Sequence, residues 1–220
     1  MRGSAVRDCL RVFEHFGLNP ASGEAIDVGG TREVHLSDRG HAKICENPLL
    51  SIHPRLKMLD RGFNAEDIGT SADEELDFLK SETVSHLFGK FDRVFCFDTL
   101  EHVSDPFLFC ENLINVAAPG GAVYLSTIFS WVYHPSPEDY FRFSPTGLEQ
   151  CFMRSQRAGD AKILWSGWET DERGVAILVA REPTAAPKSG SFDLREGLGP
   201  AGMLPPMAGE ERKPFWRKGR

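Results

Sequence analysis

The sequence lacks any apolar run long enough to cross a bilayer, and its first 17 residues, MRGSAVRDCLRVFEHFG, contain no uninterrupted apolar stretch of the signal-peptide kind. It is also poor in cysteine. The cysteines are odd in number, far apart and without a CxxC pair, which is typical of reduced thiols: Cys9, Cys45, Cys96, Cys110 and Cys151. We therefore expect a cytoplasmic protein without a membrane span.

An excess of basic residues is absent as well. The formal net charge is -7, which argues against nucleic acid as the main partner because phosphate binding normally requires a basic surface. The seven histidines show no HxxxH or HxH pairing, so the sequence predicts no metal site. Nothing in the sequence indicates an oligomeric state.

Length and composition predict one large domain followed by a tail. The 220 residues are 41% hydrophobic, which is enough to build a sizeable core. From residue 182 the chain becomes rich in proline and glycine, loses periodicity and ends in the basic, aromatic KPFWRKGR. We expect a domain over 1–181 and an extended or disordered tail over 182–220.

The strongest structural pattern lies in residues 91–126. An apolar strand over Phe91–Phe97 leads into the acidic turn DTLEH, and a helix is expected over Pro106–Ala117. Asp105 suits the N-cap and Pro106 the first helical position, while Pro-Gly-Gly ends the helix before a second apolar strand. This βαβ unit gathers polar residues at the carboxyl end of its first strand, where open α/β sheets bind ligands.

A second polar cluster follows an earlier buried strand. Asp27-Val28-Gly29-Gly30 is either a tight turn or a place where backbone amides approach a ligand closely. The run lacks a complete GxGxxG, so a dinucleotide cradle is not indicated. Short strands are also expected at Ala42–Cys45 and Leu56–Leu59, and a helix within residues 71–88.

The order of these elements predicts the fold class. Strands alternate with helices over residues 24–128, which indicates a parallel sheet covered on both faces. Lys162–Trp168 and Val175–Ala180 flank a polar turn and form a plausible terminal hairpin.

Three segments together resemble a known family. IDVGG, FDRVFCFDTLEHVSDP and APGGAVYLS are similar to the core motifs of class I S-adenosylmethionine (SAM)-dependent methyltransferases. Residues 134–148, HPSPEDYFRFSPTGL, resemble an "H..P.DYYRF" segment of small bacterial members, many of them tied to sugar or envelope metabolism. The resemblance covers residues 24–152 and implies a doubly wound, mostly parallel seven-stranded sheet with a C-terminal antiparallel hairpin.

The resemblance also implies where the cofactor would bind. Residues implied to line its methionine part are Asp27, Val28, Gly29 and Gly30. Residues implied to form the floor near the sulfonium are Asp98, Thr99, Leu100 and His102. The acid that holds the ribose follows the second strand: Glu46 fits by its distance from Asp27, with Asp60 then near the adenine, but if the short strands are merged Asp60 takes the ribose.

The expected function is methyl transfer to a small or sugar-like acceptor. Candidate catalytic residues are His102, His134, Asp139, Tyr140 and Arg142. The alternatives without a catalytic role are a loop position for His134 and a structural ion pair of Arg142 with Glu138 or Asp139.

The glycine run departs from the family pattern, because Arg32 and Glu33 stand where small residues are usual. This motivates two alternatives, which are other chemistry on the same cofactor (aminocarboxypropyl transfer or cyclisation) and a methyltransferase-like binding protein without catalysis.

Overall fold

The computed structural model describes residues 2–38, 41–60, 72–135, 137–182 and 192–195. The helices are α1 (Gly3–His15), α2 (Ser81–Val84), α3 (Pro106–Val116) and α4 (Pro145–Ala158). The first strands are β1 (Ala25–Val28), β2 (Glu33–Asp38), β3 (His41–Glu46), β4 (Lys57–Asp60) and β5 (Glu74–Glu75). The later strands are β6 (Phe91–Phe97), β7 (Ala117–Ile128), β8 (Ala161–Trp168) and β9 (Gly174–Arg181). Short 3-10 helices lie at Pro48–Ser51, Ser85–Leu87 and Leu100–His102.

The main sheet has seven strands in the order β5-β4-β1-β6-β7-β9-β8. The strands from β5 to β7 run parallel, and β9 pairs antiparallel with both β7 and β8. This arrangement confirms the predicted doubly wound sheet with its terminal hairpin. Because β1 lies between β4 and β6, the strand order reverses at β1, and the crevice at its carboxyl end is the place where such sheets bind ligands.

Helices cover both faces of the sheet. On one face, α1 buries Val12 and Phe13, and the Phe13 ring lies 5.9 Å from that of Phe95 on β6. On the other face, α3 and α4 bury a larger apolar cluster that includes Leu113 and Phe152. Removing this much apolar surface from water is the main stabilising contribution to the fold.

The connection between β1 and β4 differs from the sequence prediction. Strands and helices do not alternate here: an antiparallel hairpin, β2–β3, and one 3-10 helix stand where a crossover helix was expected. The predicted strand Ala42–Cys45 therefore exists, but it belongs to this hairpin and not to the main sheet. Residues 33–46 alternate apolar and polar types, a pattern with a period of two that favours strands over a helix.

The predicted helix within residues 71–88 is shorter than expected. Its described part contains the two-residue edge strand β5, the single-turn α2 and a 3-10 helix. The acidic start pairs with β4 instead of entering a helix.

Part of the predicted tail packs on the domain. Leu194 is fully buried, the Phe192 ring stacks on His15 at 4.1 Å, and the Trp165 indole donates to the Phe192 carbonyl at 2.7 Å. The other residues after 182 lie outside the described part of the chain. Among the described helices, none has the length and apolar character needed to span a membrane.

Candidate functional site

A pocket opens at the carboxyl ends of β1, β4 and β6, at the point where the strand order reverses. Its lining residues are Val28, Gly29, Leu59, Asp60, Leu76, Asp77, Phe78, Leu79, Asp98, Thr99, His102, Val103, Phe109 and Pro137. Apolar walls with a few convergent polar groups are the usual composition of a small-molecule site.

The structure separates the two acids proposed for the ribose. Asp60 ends β4, the strand paired directly with β1, and lines the pocket. Glu46 ends β3 in the separate hairpin, is exposed and is not part of the pocket lining. Glu46 was favoured by its distance along the chain from Asp27. That distance includes the β2–β3 hairpin, whose strands do not belong to the main sheet. If Glu46 held the ribose, Asp60 would follow the third strand of the main sheet. In the structure Asp60 ends β4, which is the second strand of that sheet along the chain.

Both glycines of the turn after β1 are required by contacts within the chain. Gly29 has a φ of +80°, and a Cβ on it would lie 2.2 Å from the Thr99 hydroxyl oxygen. A Cβ on Gly30 would lie 2.0 Å from a carboxylate oxygen of Asp27. The turn therefore brings side chains of its own chain against the backbone. Only Gly29 of the two belongs to the pocket lining.

Asp27 is buried beneath this turn and outside the pocket lining. One carboxylate oxygen accepts from the Asn47 amide at 2.9 Å, while the other, Oδ1, has no hydrogen-bond partner in the described structure. Burial raises the pKa of Asp27 to about 7, although the Asn47 hydrogen bond acts against this rise. Asn47 also donates to the Thr31 carbonyl at 3.1 Å and so joins the hairpin to β1.

Asp98 is bound to a cation of the protein itself. The Arg2 side chain donates to Asp98 at 2.7 Å and 3.0 Å, and the Arg2 backbone amide donates to the same carboxylate at 3.0 Å. Arg2 also pairs with Glu169 and with Asp171 at 3.6 Å. Burial alone would raise the pKa of Asp98, but the Arg2 guanidinium outweighs it and holds that pKa below its ordinary value. We call Arg2, Asp98, Glu169 and Asp171 the arginine cluster.

Two residues of the turn after β6 are fully buried and do not belong to the pocket lining. Leu100, one of the residues expected beside the cofactor, is fully buried in the core. Glu101 is also fully buried, and its Oε2 accepts from the Thr127 hydroxyl at 2.7 Å. Burial, reinforced by the nearby charge of Asp98, raises the pKa of Glu101 to about 7.

The structure brings two of the candidate catalytic histidines together. His102 lines the pocket, and its Nδ1 donates to the Glu138 carbonyl at 2.6 Å. Burial lowers the pKa of His102, so its imidazole is neutral at neutral pH. The His134 ring lies edge-on to that of His102, with the ring centres 4.9 Å apart.

Asp139 and Arg142 form an ion pair with each other, and neither belongs to the pocket lining. The Arg142 guanidinium forms two hydrogen bonds with the Asp139 carboxylate, one of them at 2.7 Å, and these bonds hold the pKa of Asp139 well below its ordinary value. Arg142 also donates to the carbonyls of Phe141 and Val132. This ion pair fixes the loop after β7. Tyr140 is half exposed and also outside the pocket lining.

Sequence reasoning missed Asn47 and Arg2. Asn47 follows β3 directly, and an amide beside a proline gave no functional signal. Arg2 lies 96 residues from Asp98 in an amphipathic N-terminal helix region, so no local pattern links the two. The available signal was the presence of Asp27 and Asp98 at the ends of apolar strands, since a buried carboxylate requires a partner.

Several solved structures with a similar fold are methyltransferases. A SAM-dependent methyltransferase from Anabaena variabilis aligns with a TM-score of 0.53 and 14% identity, over 81% of this chain and 86% of its own. One from Mesorhizobium loti aligns with a TM-score of 0.51 and 15% identity, over 81% and 99% of the two chains.

Phosphoethanolamine N-methyltransferase 1 from Haemonchus contortus, solved with phosphoethanolamine and S-adenosylhomocysteine, gives a TM-score of 0.50 at 16% identity. That alignment covers 86% of this chain and 44% of the other chain. No family model matches the chain, and no curated protein does either. The chain therefore has the Rossmann-like fold of the SAM-dependent methyltransferases.

Proposed function

We propose that this protein is a SAM-dependent methyltransferase that acts on a small-molecule or sugar-like acceptor. One observation supports the proposal most: Asp60 ends the strand next to β1 and lines an apolar pocket at the point of strand-order reversal. An acid at this place suits the two hydroxyls of a ribose, as it does in dinucleotide-binding folds.

The pocket chemistry fits the adenosine half of the cofactor. Leu59, Leu76 and Phe78 supply apolar surface for a base, and Asp60 supplies hydrogen-bond acceptors for a ribose. At the other end, Gly29 and Thr99 line the pocket while Asp98 is already neutralised by Arg2. A cofactor would therefore meet an arginine–aspartate pair there, not an unpaired carboxylate.

Methyl transfer asks little of the protein beyond alignment. The bound cofactor supplies an activated methyl group, and the protein aligns the acceptor and excludes water, effects that contribute several orders of magnitude in rate. His102 is the imidazole that lines the pocket, so it is the residue placed to contact an acceptor there. Asp139 and Arg142 would act indirectly, by fixing the loop that faces His102.

Calorimetric titration with SAM and with S-adenosylhomocysteine tests the proposal. We expect binding to the wild type and a loss of about 10- to 100-fold in affinity in Asp60→Asn, because hydrogen bonds to a charged group contribute about 1.5–3 kcal/mol each. Glu46→Gln is the matched control and should bind within about twofold of the wild type, since Glu46 lies outside the pocket lining. Absence of binding to the wild type, or a loss in Glu46→Gln alone, would contradict the assignment.

A second candidate function is binding without catalysis. The arginine cluster favours it, because Arg2 already provides the cation that pairs with Asp98. Mass analysis of products from a panel of acceptors distinguishes the possibilities. S-adenosylhomocysteine indicates methyl transfer, methylthioadenosine indicates aminocarboxypropyl transfer, and binding with neither product indicates a non-catalytic protein.

A further inference from the structure

Three potential metal ligands meet beside the pocket. One ligand atom from each of Glu101, His102 and His134 lies within 4.8 Å of the other two. Glu101 and His102 follow β6, whereas His134 belongs to the loop after β7, 32 residues later along the chain. The histidine spacing predicted no metal site because the HxH and HxxxH patterns contain only histidines that are close together in the sequence.

Glu101 directs an unsatisfied oxygen at this cluster. Its side chain is fully buried, its Oε2 is used by Thr127, and its Oε1 has no hydrogen-bond partner in the described structure. The Nε2 of His102 lies 4.0 Å from that Oε1, which is too far for a hydrogen bond. A buried carboxylate oxygen without a partner is costly, and a bound cation would remove that cost.

In both imidazoles the described hydrogen bonds involve Nδ1, and no hydrogen bond of either Nε2 is found among the described residues. The Nδ1 of His102 faces the Glu138 carbonyl at 2.6 Å, and a carbonyl only accepts, so Nδ1 carries the proton. The Nδ1 of His134 faces two acceptors, the Val132 carbonyl at 3.1 Å and an Asp139 oxygen at 3.2 Å. Metal-binding histidines in proteins are oriented in this way, with the second nitrogen donating to a carbonyl or carboxylate.

The loop that carries His134 is fixed against the strand end. The Tyr140 amide donates to the Glu101 carbonyl at 2.7 Å, and the His134 amide donates to Asp139 at 2.9 Å. The ion pair between Asp139 and Arg142 holds the loop from the other side. These contacts give His134 a defined position relative to Glu101 before any ligand binds, which reduces the entropic cost of binding.

We propose that Glu101, His102 and His134 bind a divalent first-row transition metal ion, such as Zn²⁺, Fe²⁺ or Co²⁺. Two imidazoles and one carboxylate form a ligand set typical of these ions, whereas Mg²⁺ and Ca²⁺ prefer oxygen ligands alone. Ligands about 2.1 Å from one ion lie about 3.0–3.4 Å apart, so the ligand atoms, now within 4.8 Å of one another, would approach one another by up to roughly 2 Å on binding.

The proposed ion would also bear on the acceptor. With three protein ligands it keeps positions for an exchangeable oxygen ligand, and His102 places it at the pocket wall. Resting on the proposed methyltransferase function, this predicts acceptors with a hydroxyl or carboxylate oxygen that binds the metal. Binding to a cation lowers the pKa of a hydroxyl, so the hydroxyl proton passes to solvent water, the resulting oxygen anion takes the methyl group, and S-adenosylhomocysteine leaves without a side-chain base.

Metal binding is tested without SAM, so the result does not depend on the proposed function. Calorimetric titration of the metal-stripped full chain with Zn²⁺ should show one equivalent bound. Co²⁺ should give visible absorption bands that report imidazole and carboxylate coordination. Weakened Zn²⁺ binding of at least tenfold is expected in both His134→Ala and Glu101→Gln, with melting temperatures measured in parallel.

His86→Ala is the matched control. His86 also pairs with a carboxylate, that of Glu74 at 2.9 Å, but it is exposed and lies outside the cluster. Its replacement should leave the Zn²⁺ affinity and the Co²⁺ bands unchanged. Three results would overturn the proposal: no stoichiometric Zn²⁺ binding to the wild type, wild-type affinity in the folded His134→Ala protein, or loss of binding in His86→Ala.

Discussion

Asp98 and Asp27 lie at the carboxyl ends of neighbouring strands, yet their pKa values shift in opposite directions. Asp98 receives three hydrogen bonds from Arg2, and its pKa falls below the ordinary value in spite of burial. Asp27 receives only the amide of Asn47, and burial raises its pKa to about 7. Glu101, three residues beyond Asp98, resembles Asp27 in this respect.

The difference shows that burial alone does not set the charge of an acid. At Asp98 the three hydrogen bonds and the charge of Arg2 lower the pKa more than burial raises it, whereas at Glu169, which pairs with the same Arg2, burial outweighs the cation and raises the pKa to about 8. One region of the sheet edge is therefore neutralised internally, by the arginine cluster. The other, around Glu101 and His102, has no ion pair with a lysine or arginine among the described residues, although the charges of Arg2 and Arg142 reach Glu101, and it is the region that we propose to bind a cation.

Removing the cation of the arginine cluster should have the largest effect. In Arg2→Met, the buried carboxylate of Asp98 loses the cation that holds its pKa low, and we expect the free energy of unfolding to fall by about 3–5 kcal/mol. Urea denaturation measures the loss. It should be smaller at pH 5 than at pH 8, since protonation then relieves the unpaired acids.

Arg32→Met is the control for this comparison. Arg32 pairs with Asp73 at 2.6 Å on the surface, and exposed pairs contribute only about 0–1 kcal/mol. Equal losses in the two variants would mean that burial of the arginine cluster is not what makes it stabilising.

Asp27 should give a smaller and pH-dependent effect. Its folded pKa of about 7 lies above the unfolded value of about 3.9, so the folded state binds more protons between these two pH values. The stability from Asp27 is therefore fully present below pH 4 and is lost as the pH rises through 7. The expected slope is at most about 1.4 kcal/mol per pH unit.

Asp27→Asn isolates this contribution. The variant keeps an oxygen acceptor for Asn47 but cannot ionise, so its unfolding free energy should fall less steeply between pH 5 and 7 than that of the wild type. Urea titrations at half-unit intervals of pH give the two curves. Parallel curves would show that Asp27 titrates normally in the folded protein.

The smallest effect concerns the hydroxyl that supports Glu101. Thr127→Val keeps the shape of the side chain but removes the donor to Oε2, and we expect a loss of about 1–2 kcal/mol in the free energy of unfolding. Thr127→Ser retains the hydroxyl and should lose less. If valine is as stable as threonine, Glu101 does not depend on this hydrogen bond.

Most of the fold could be predicted from local patterns, and the site only in part. The strand Phe91–Phe97 and the helix after Asp105 were correctly predicted, since Asp105 does cap α3 by accepting from the amides of Phe107 and Leu108. The hairpin between β1 and β4 was missed, so the sequence did not show that Asp60, and not Glu46, ends the strand next to β1. Strand count along a sequence does not reveal which strands pair.

By itself, the sequence determined the βαβ unit, the doubly wound class and the polar turn after β6, because apolar periodicity and helix caps act over a few residues. Only the tertiary structure decided which acid lies beside β1, that Arg2 neutralises Asp98, and that His134 meets His102 and Glu101. These contacts join residues 31 to 96 positions apart, and they depend on how separate elements pack together, which no local sequence pattern encodes.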